Sequence, residues 1–285
     1  MVTLQDYAAP SEIAWCPGCG NFGILRAVRK ALADLQIEPH RVLIVSGIGQ
    51  AGKFPHYLKC HTLNELHGRT LPAAVAARIA NHELIVMAVG GDGDGYGEGG
   101  NHFVHAMHRN VNVKYMVHNN QVYGLTKGQA SPTSDRGFVT KTTPAGAWDP
   151  VNPIALAIAS NTSFVARSFA GNPEHLATML KMAIQHKGFS LIDVLQPCIS
   201  FNRVNTFQWY QQRVYQLDKE SGYDPANRLA AFAKSLEWGE RIPIGLIYKI
   251  DRPVYEESLP ALKEMPLVKQ KLDPMQFEKL LDEFI

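Results

Sequence analysis

The residues best suited to chemistry lie in a glycine-rich turn and after the next apolar run. Seven glycines crowd the eleven residues 90–100, and Asp92 stands among them, just after an apolar run of strand length. Asn120 closes the following apolar run. A carboxylate, a carboxamide and a main-chain carbonyl just beyond are oxygen ligands that suit Mg²⁺. Because Gly91 and Gly93 would let the backbone approach a diphosphate closely, the spacing predicts a site for Mg²⁺ and diphosphate.

Two other interpretations of these residues stay open. An Asp in a glycine-rich turn and an Asn after a strand are common in ordinary loops. Gly95-x-Gly97-x-x-Gly100 also matches the dinucleotide-binding fingerprint. That motif expects an acidic residue about 20 positions further on, where this chain has His118-Asn119-Asn120.

The four cysteines are a second chemical set. Cys16-Pro-Gly-Cys19 precedes apolar residues at three- and four-residue steps, which predicts a helix with both thiols at its N-terminus. The helix dipole favours thiolate there. Cys60 lies in a long loop and Cys198 follows a predicted strand. In a cytoplasmic protein, such cysteines are metal ligands or buried thiols more often than disulfides.

Strands and helices alternate over the first 200 residues and must position these groups. The alternation predicts an α/β fold with a doubly wound, mostly parallel sheet, in which ligands bind at the carboxyl ends of the strands. The long loop Ser46–Arg69 is predicted to be functional because of its length. The segment after Asn120 is predicted to be a second long loop, because it is rich in Gly, Pro, Ser and Thr. The predicted strands are 42–45, 84–89, 113–117, 163–168 and 190–195, with helices at 72–80, 153–160 and 173–186.

The pattern changes beyond Cys198. We expect helices near 207–217 and 225–236, a β run at 242–250, and a proline-containing arm that lies on another surface. The predicted division is therefore a cofactor-binding domain, 1–200, and a C-terminal extension that contacts a partner, 201–285.

Composition excludes several classes of protein. The 285 residues are 46% hydrophobic with a net charge of +2, and the basic residues are scattered, so we expect no nucleic-acid or anionic-membrane partner. No apolar stretch approaches the ~20 residues that span a bilayer. The first residues lack the pattern of a secretory signal. We therefore expect a cytoplasmic protein.

The motifs together resemble a known family. Gly-Asp-Gly, 25 residues and Asn-Asn resemble the motif by which thiamine-diphosphate enzymes bind Mg²⁺ and diphosphate. The wider set resembles the β subunit of the 2-oxoacid:ferredoxin oxidoreductases, and TKGQASPTS looks closest to the 2-oxoglutarate type. This set, between Trp15 and Tyr248, comprises WCPGCGNFGIL, SGIG, LHGR, GGDGDGYGEGGNHF, NNQVYGLTKGQASPTS and SGYDPANR…RIPIGLIY.

The resemblance implies the thiamine-diphosphate-binding fold and a reaction. A 2-oxoacid, here expected to be 2-oxoglutarate, would react with coenzyme A and oxidised ferredoxin to give acyl-CoA, CO₂ and reduced ferredoxin, in either direction. It implies Asp92, Asn120 and the Val122 carbonyl as Mg²⁺ ligands. His67 near the cofactor, and Lys53 and Lys127 for the substrate carboxylates, are the implied catalytic residues. The residues expected at the cofactor are Gly91, Asp92, Gly93, Asp94, Asn120, Val122, Gly124 and Leu125.

The family resemblance also implies a [4Fe–4S] cluster on four thiolates. Cys16, Cys19 and Cys198 match its ligands, but Gln50 stands where many relatives have the third cysteine. We predict that Cys60, the remaining thiol, takes that role. The alternatives are a cluster with a non-thiolate ligand, and a Cys60 that is buried as an ordinary small hydrophobe.

The chain has room for the diphosphate-binding domain alone. The family resemblance therefore implies an α subunit that carries the pyrimidine-binding domain and its Glu, as α₂β₂, with ferredoxin as the electron acceptor. Two other classes stay open: a non-redox thiamine-diphosphate decarboxylase or carboligase subunit, and a zinc-bearing scaffold subunit.

Overall fold

An eight-stranded sheet forms the centre of the protein in the computed structural model. The structure describes residues 1–263, 265–271 and 274–284. The strands are β1 (Val42–Ser46), β2 (His61–Asn64), β3 (Ile85–Gly91), β4 (Lys114–Asn119), β5 (Val122–Tyr123), β6 (Gln129–Ala130), β7 (Phe164–Phe169), β8 (Ser190–Leu195), β9 (Val214–Gln216) and β10 (Ile242–Lys249). The helices are α1 (Asn21–Asp34), α2 (Thr70–Ala80), α3 (Gly100–Arg109), α4 (Pro153–Ala159), α5 (Pro173–Gln185), α6 (Phe207–Gln211), α7 (Arg228–Ser235) and α8 (Pro274–Asp282).

The strand order is β2-β1-β3-β4-β8-β7-β10-β9, and β5 and β6 form a separate hairpin. Every neighbouring pair in the large sheet is parallel except β10 with β7. The carboxyl ends of β1, β3, β4, β7 and β8 therefore share one edge, which we call the carboxyl edge. The predicted α/β fold with a mostly parallel sheet is confirmed.

Helices cover both faces of the sheet, as the alternation of side chains along each strand requires. Met87 and Val89 of β3 pack in the core with α1 and α5, whereas Val86 and Ala88 pack on the other face, with α2, α3 and α4. The sheet is doubly wound because both faces are apolar. Across the described part of the chain, no helix is long and apolar enough to cross a membrane.

Four of the strands lie where the sequence predicts other structure: β5 and β6 form a hairpin in the long loop after Asn120, and β9 and β2 belong to the large sheet. The predicted helix 207–217 ends at Gln211, and Val214–Gln216 forms the edge strand β9, which pairs with β10. Val and Tyr favour an extended backbone where a neighbouring strand is available. β2 lies in the long loop Ser46–Arg69 and pairs with β1. All four of its residues are exposed, so it lacks the apolar alternation that predicts a strand.

The segment after residue 200 is partly integral to the sheet, because β9 and β10 extend it. The chain then continues as short 3₁₀ turns to α8. A partly buried ion pair of 2.8 Å, from Arg78 of α2 to Glu256, holds the start of this arm against the domain. Residues 264, 272, 273 and 285 of the predicted extension lie outside the described residues. The boundary near residue 200 stays a prediction.

Candidate cofactor site

The glycine-rich turn joins β3 to α3 through one π-helical turn, Gly93–Glu98. A Cβ on Gly93 would lie 2.3 Å from Cε1 of Tyr123, so this position excludes any side chain. Gly91 faces open space instead, with no atom within 4 Å of the place a Cβ would take. The backbone at the end of β3 therefore borders a space that a diphosphate can enter.

Asp92 is a buried carboxylate whose two oxygens have different surroundings. Its Oδ2 accepts hydrogen bonds from Ser131 Oγ at 2.5 Å and from Thr133 Oγ1 at 2.7 Å. Its Oδ1 accepts a longer bond of 3.3 Å from the Asn120 backbone N–H. Burial raises the pKa of Asp92 to about 6 despite these donors. A cation beside Oδ1 would offset this effect, because it favours the charged form of the carboxylate. The two hydroxyls orient the carboxylate through Oδ2 and leave Oδ1 with the longer hydrogen bond.

Asn120 is held by hydrogen bonds on both sides of its amide. Its Oδ1 accepts from the Val122 N–H at 3.1 Å, and its Nδ2 donates to Gln196 Oε1 at 3.0 Å. This network sets the orientation of the amide. Because β3 and β4 are adjacent and parallel, Asp92 and Asn120 meet at the carboxyl edge.

One cavity brings together all of the residues that the sequence predicts at the cofactor, and His67 as well. Asp94 differs from the others, because its Oδ1 accepts from the backbone N–H groups of both Ile48 and Gly68, at 3.1 and 2.8 Å. It therefore holds the loop Ser46–Arg69 against the turn. The predicted residues that line the cavity are Gly91, Asp92, Gly93, Asp94, Asn120, Val122, Gly124 and Leu125.

The three predicted catalytic residues lie in different surroundings. His67 Nδ1 is 3.2 Å from Asp94 Oδ1 and 3.3 Å from Glu98 Oε2, and the side chain is 37% exposed. Lys53 and Lys127 lie in the two long loops and do not line the cavity. Neither ammonium group forms an ion pair or hydrogen bond with another described residue. That Lys53 and Lys127 bind the substrate carboxylates stays a prediction.

Three of the four cysteines line a second pocket at the carboxyl edge. Cys16, Cys19 and Cys198 share it with Gln50. Burial raises the pKa of Cys19 to about 11, and the nearby sulfurs of Cys198 and Cys16 add to this. The neutral form of the Cys19 thiol is therefore favoured, unless a metal centre with positive charge lies beside it.

The structure does not bring Cys60 to the other three thiols. Cys60 precedes His61, which pairs with Leu43 near the start of β1, so it lies at the amino end of the strands. The four residue steps from Val42 to Ser46 separate it from the carboxyl edge, about 13 Å at the usual strand rise. It packs against the apolar core, and burial raises its pKa to about 12. These are the properties of a small buried hydrophobe.

The two pockets offer different donor sets to a metal. Within the described residues, no group of three or more His, Cys, Asp or Glu side chains converges on one ion. The Mg²⁺ hypothesis needs one carboxylate, and Asp92 with Asn120 and a carbonyl fits a hard cation. An iron–sulfur cluster places its cysteines on separate irons, so its thiols need not converge on one point.

Sequence reasoning missed three residues of the site. Ser131 and Thr133 lie in the ASPTS segment, interpreted from its composition as a loop. Gln196 directly follows β8, and its position at the carboxyl end of a predicted strand was the available signal.

Comparisons with known proteins agree with this geometry. Residues 47–194 match the model for the C-terminal TPP-binding domain of thiamine pyrophosphate enzymes, and residues 198–264 match that for the C-terminal part of the pyruvate ferredoxin oxidoreductase β subunit. The 2-oxoacid:ferredoxin oxidoreductase β subunit of Sulfolobus sp is 48% identical over 260 residues, covering 87% of this chain and 85% of that protein. The 2-oxoglutarate oxidoreductase subunit KorB of Mycobacterium tuberculosis is 42% identical, covering 70% and 53%.

A solved structure extends the comparison to three dimensions. The 2-oxoglutarate:ferredoxin oxidoreductase from Magnetococcus marinus, with 2-oxoglutarate, coenzyme A and succinyl-CoA bound, superposes with a TM-score of 0.90 at 34% identity, covering 98% of this chain and 95% of that one. The fold and the site thus define a thiamine-diphosphate-binding domain of the oxidoreductase class. The chain belongs to the family of 2-oxoacid:ferredoxin oxidoreductase β subunits.

Proposed function

We propose that this chain is the cofactor-binding half of a cytoplasmic 2-oxoglutarate:ferredoxin oxidoreductase. The reaction converts 2-oxoglutarate, coenzyme A and oxidised ferredoxin to succinyl-CoA, CO₂ and reduced ferredoxin, in either direction. One observation carries the proposal: the cavity at Asp92 and the pocket of three thiols share Gln50, Asn120 and Gly124 as common walls. A redox enzyme needs this adjacency, because electrons must leave the cofactor for a nearby acceptor.

Each set of residues has one task in this proposal. Asp92 Oδ1, Asn120 Oδ1 and the Val122 carbonyl would hold Mg²⁺, with the diphosphate against the open backbone at Gly91. Cys16, Cys19 and Cys198 would hold an iron–sulfur cluster. When bound, thiamine diphosphate supplies the nucleophilic carbon and the electron sink for loss of CO₂, and the cluster supplies a one-electron acceptor.

The side chains around the cavity bind charge and limit access of water. Lys53 and Lys127 lie in the two long loops, outside the lining of the cavity. A 2-oxoacid carboxylate taken out of water needs a cationic partner, and in this proposal these two lysines supply it. His67 lies beside Glu98 and Asp94, where it can donate to an anionic group at the rim. Tyr123, whose ring covers Gly93, also donates to Glu98 and closes that side of the cavity.

The site is completed by an α subunit in an α₂β₂ assembly. The family resemblance assigns the pyrimidine-binding domain and its Glu to that subunit. Large apolar side chains that a partner would cover are exposed on this chain, among them Trp148 at 89% and Leu229 at 83%. The isolated chain should therefore be inactive with 2-oxoglutarate, and activity from it alone would contradict this part of the proposal.

The test uses the complex of both subunits, purified without oxygen. It should contain iron, Mg²⁺ and thiamine diphosphate, and reduce ferredoxin when given 2-oxoglutarate and coenzyme A. Asp92→Ala should abolish binding of Mg²⁺ and thiamine diphosphate while the circular dichroism spectrum is retained, since the glycines determine the turn. Normal cofactor binding by this variant would refute the Mg²⁺ assignment.

Metal content separates the other two classes. A complex that binds thiamine diphosphate and decarboxylates 2-oxoacids without iron in this chain would be a non-redox subunit. Zinc on the cysteines, with no thiamine diphosphate bound, would identify a scaffold subunit.

A further inference from the structure

Gln50 shares a pocket with three of the four cysteines. It lines this pocket together with Cys16, Cys19 and Cys198. Its Oε1 is buried, and no hydrogen-bond donor among the described residues reaches it. A buried acceptor without a partner costs free energy, so such an atom calls for a ligand.

The backbone holds Gln50 in this place independently of its side chain. Its carbonyl oxygen accepts a hydrogen bond of 2.9 Å from the indole N–H of Trp15, the neighbour of Cys16. Gly49 precedes it with φ +100°, a conformation that suits glycine. The hydrogen bond therefore ties the loop to the turn that carries two of the thiols, and the side chain of Gln50 lines the same pocket as these thiols.

We propose that the cluster in this pocket is held by Cys16, Cys19 and Cys198, with the amide oxygen of Gln50 as the fourth ligand to iron. This rests on the proposed function, since it presupposes an iron–sulfur cluster in this chain. Cys60 takes no part, because it lies at the opposite edge of the sheet. Gln50 also borders the cofactor cavity, so the residue that would complete the ligand set is a wall of both sites.

The ligand set has two chemical consequences. An amide is neutral, so three thiolates leave the cluster one unit less negative than four would, and reduction becomes easier. An amide oxygen is also a harder and weaker ligand for iron than a thiolate. Removal of one electron by ferricyanide should therefore release this iron as Fe²⁺ and leave a three-iron cluster.

Four variants of the complex test the proposal: Gln50→Cys, Gln50→Leu, Cys60→Ala and Cys198→Ala. Gln50→Cys should lower the midpoint potential and suppress the three-iron EPR signal after ferricyanide. Gln50→Leu should form the three-iron signal more readily than the parent. Cys60→Ala should keep the iron content and midpoint potential of the parent. Thiamine diphosphate binding, measured in each Gln50 variant, controls for damage to the neighbouring cavity.

The outcomes distinguish this inference from the proposed function. If Cys198→Ala leaves the iron content and EPR spectrum of the complex unchanged, the cluster belongs to another subunit and the proposed function loses its electron acceptor here. If Cys198→Ala loses the cluster but Gln50→Cys and Gln50→Leu both match the parent, Gln50 is not a ligand. Loss of the cluster in Cys60→Ala would overturn the inference in favour of four thiolates.

Discussion

Asn120 and Gln196 are joined by a hydrogen bond of 3.0 Å, from Asn120 Nδ2 to Gln196 Oε1, across 76 residues of sequence. The Nε2 of the same Gln196 lies 3.5 Å from Cys19 Sγ and donates to it. One buried amide thus contacts both a proposed Mg²⁺ ligand and a proposed cluster ligand. Gln196 fits closely in this place, since a Cβ on Gly20 would lie 2.9 Å from its Cγ.

Gln196→Met should affect both proposed centres. The side chain keeps its approximate volume, but Asn120 loses the acceptor that orients it, so Mg²⁺ should bind about 10-fold more weakly. Loss of an N–H donor to sulfur should also lower the midpoint potential of the cluster. Titration with Mn²⁺ followed by EPR, and a redox titration, measure the two effects. Gln208→Met, at an exposed position of α6, is the matched control, and equal behaviour of the two variants would argue against a role for Gln196.

Thr133 should contribute to metal affinity through its hydroxyl alone. Its Oγ1 lies within hydrogen-bonding distance of Asp92 Oδ2 and of Asn119 Oδ1, at 2.7 and 2.8 Å. Because the hydroxyl has one proton, it donates to one of these two acceptors at a time. A hydrogen bond to a charged acceptor is worth about 1.5–3 kcal/mol. Thr133→Val should therefore weaken binding of Mg²⁺ with thiamine diphosphate about 10-fold or more, whereas Thr133→Ser should keep it. Equal affinities in the two variants would show that the hydroxyl does not orient the carboxylate.

Lys53 and Lys127 are each expected to bind a carboxylate of the 2-oxoacid, and kinetics with two substrates show which carboxylate it is. A lysine at the distal carboxylate of 2-oxoglutarate supplies a charged hydrogen bond of about 1.5–3 kcal/mol. Its replacement by Met should lower kcat/KM for 2-oxoglutarate about 10- to 100-fold, and much less for pyruvate, which has no distal carboxylate. A lysine at the carboxylate common to all 2-oxoacids should affect both substrates alike. Lys59→Met, near Cys60, is the control, and kinetics like the control's in both variants would remove these lysines from the site.

Lys114 should make stability depend on pH. Its Nζ is buried at the start of β4 and donates to the carbonyls of His186 and Gly188, at 2.5 and 3.1 Å. Burial lowers its pKa from 10.5 to about 7. Between these values the unfolded chain binds more protons than the folded one, so this group's contribution to stability rises with pH, by at most about 1.4 kcal/mol per unit.

Lys114→Met removes that contribution. The melting temperature of the parent complex minus that of the variant should therefore increase from pH about 7 toward 10 and stay level below 7. A difference that is constant across this window would mean that the buried amine keeps its proton.

Convergence of Asp92 with Asn120 could be predicted from the sequence, because consecutive parallel strands place their carboxyl ends at the same edge. The position of Gln196 could not. It depends on β8 lying beside β4, although α4, β7 and α5 intervene in the chain. Strand order arises from the packing of whole layers and leaves no local pattern.

Cys60 shows that nearness in sequence does not predict nearness in the fold either. Sequence distance places it ten residues from Gln50, in one loop, which made it the natural substitute for a missing ligand. The turn Ala51–Tyr57 carries the chain back across the sheet, and β2 then starts at the amino edge. A strand of four exposed residues gives no periodic signal, so the reversal could not be seen in advance.

Asp94 affects how much conformational entropy is lost when the cofactor binds. It accepts hydrogen bonds from Ile48 and Gly68, near the two ends of the 24-residue loop Ser46–Arg69. Ordering a free backbone costs about 1–2 kcal/mol per residue, and here that loss of freedom already occurs when the protein folds. Binding of thiamine diphosphate therefore does not need to order this loop. Its affinity reflects the contacts that it makes with a cavity wall that is already ordered.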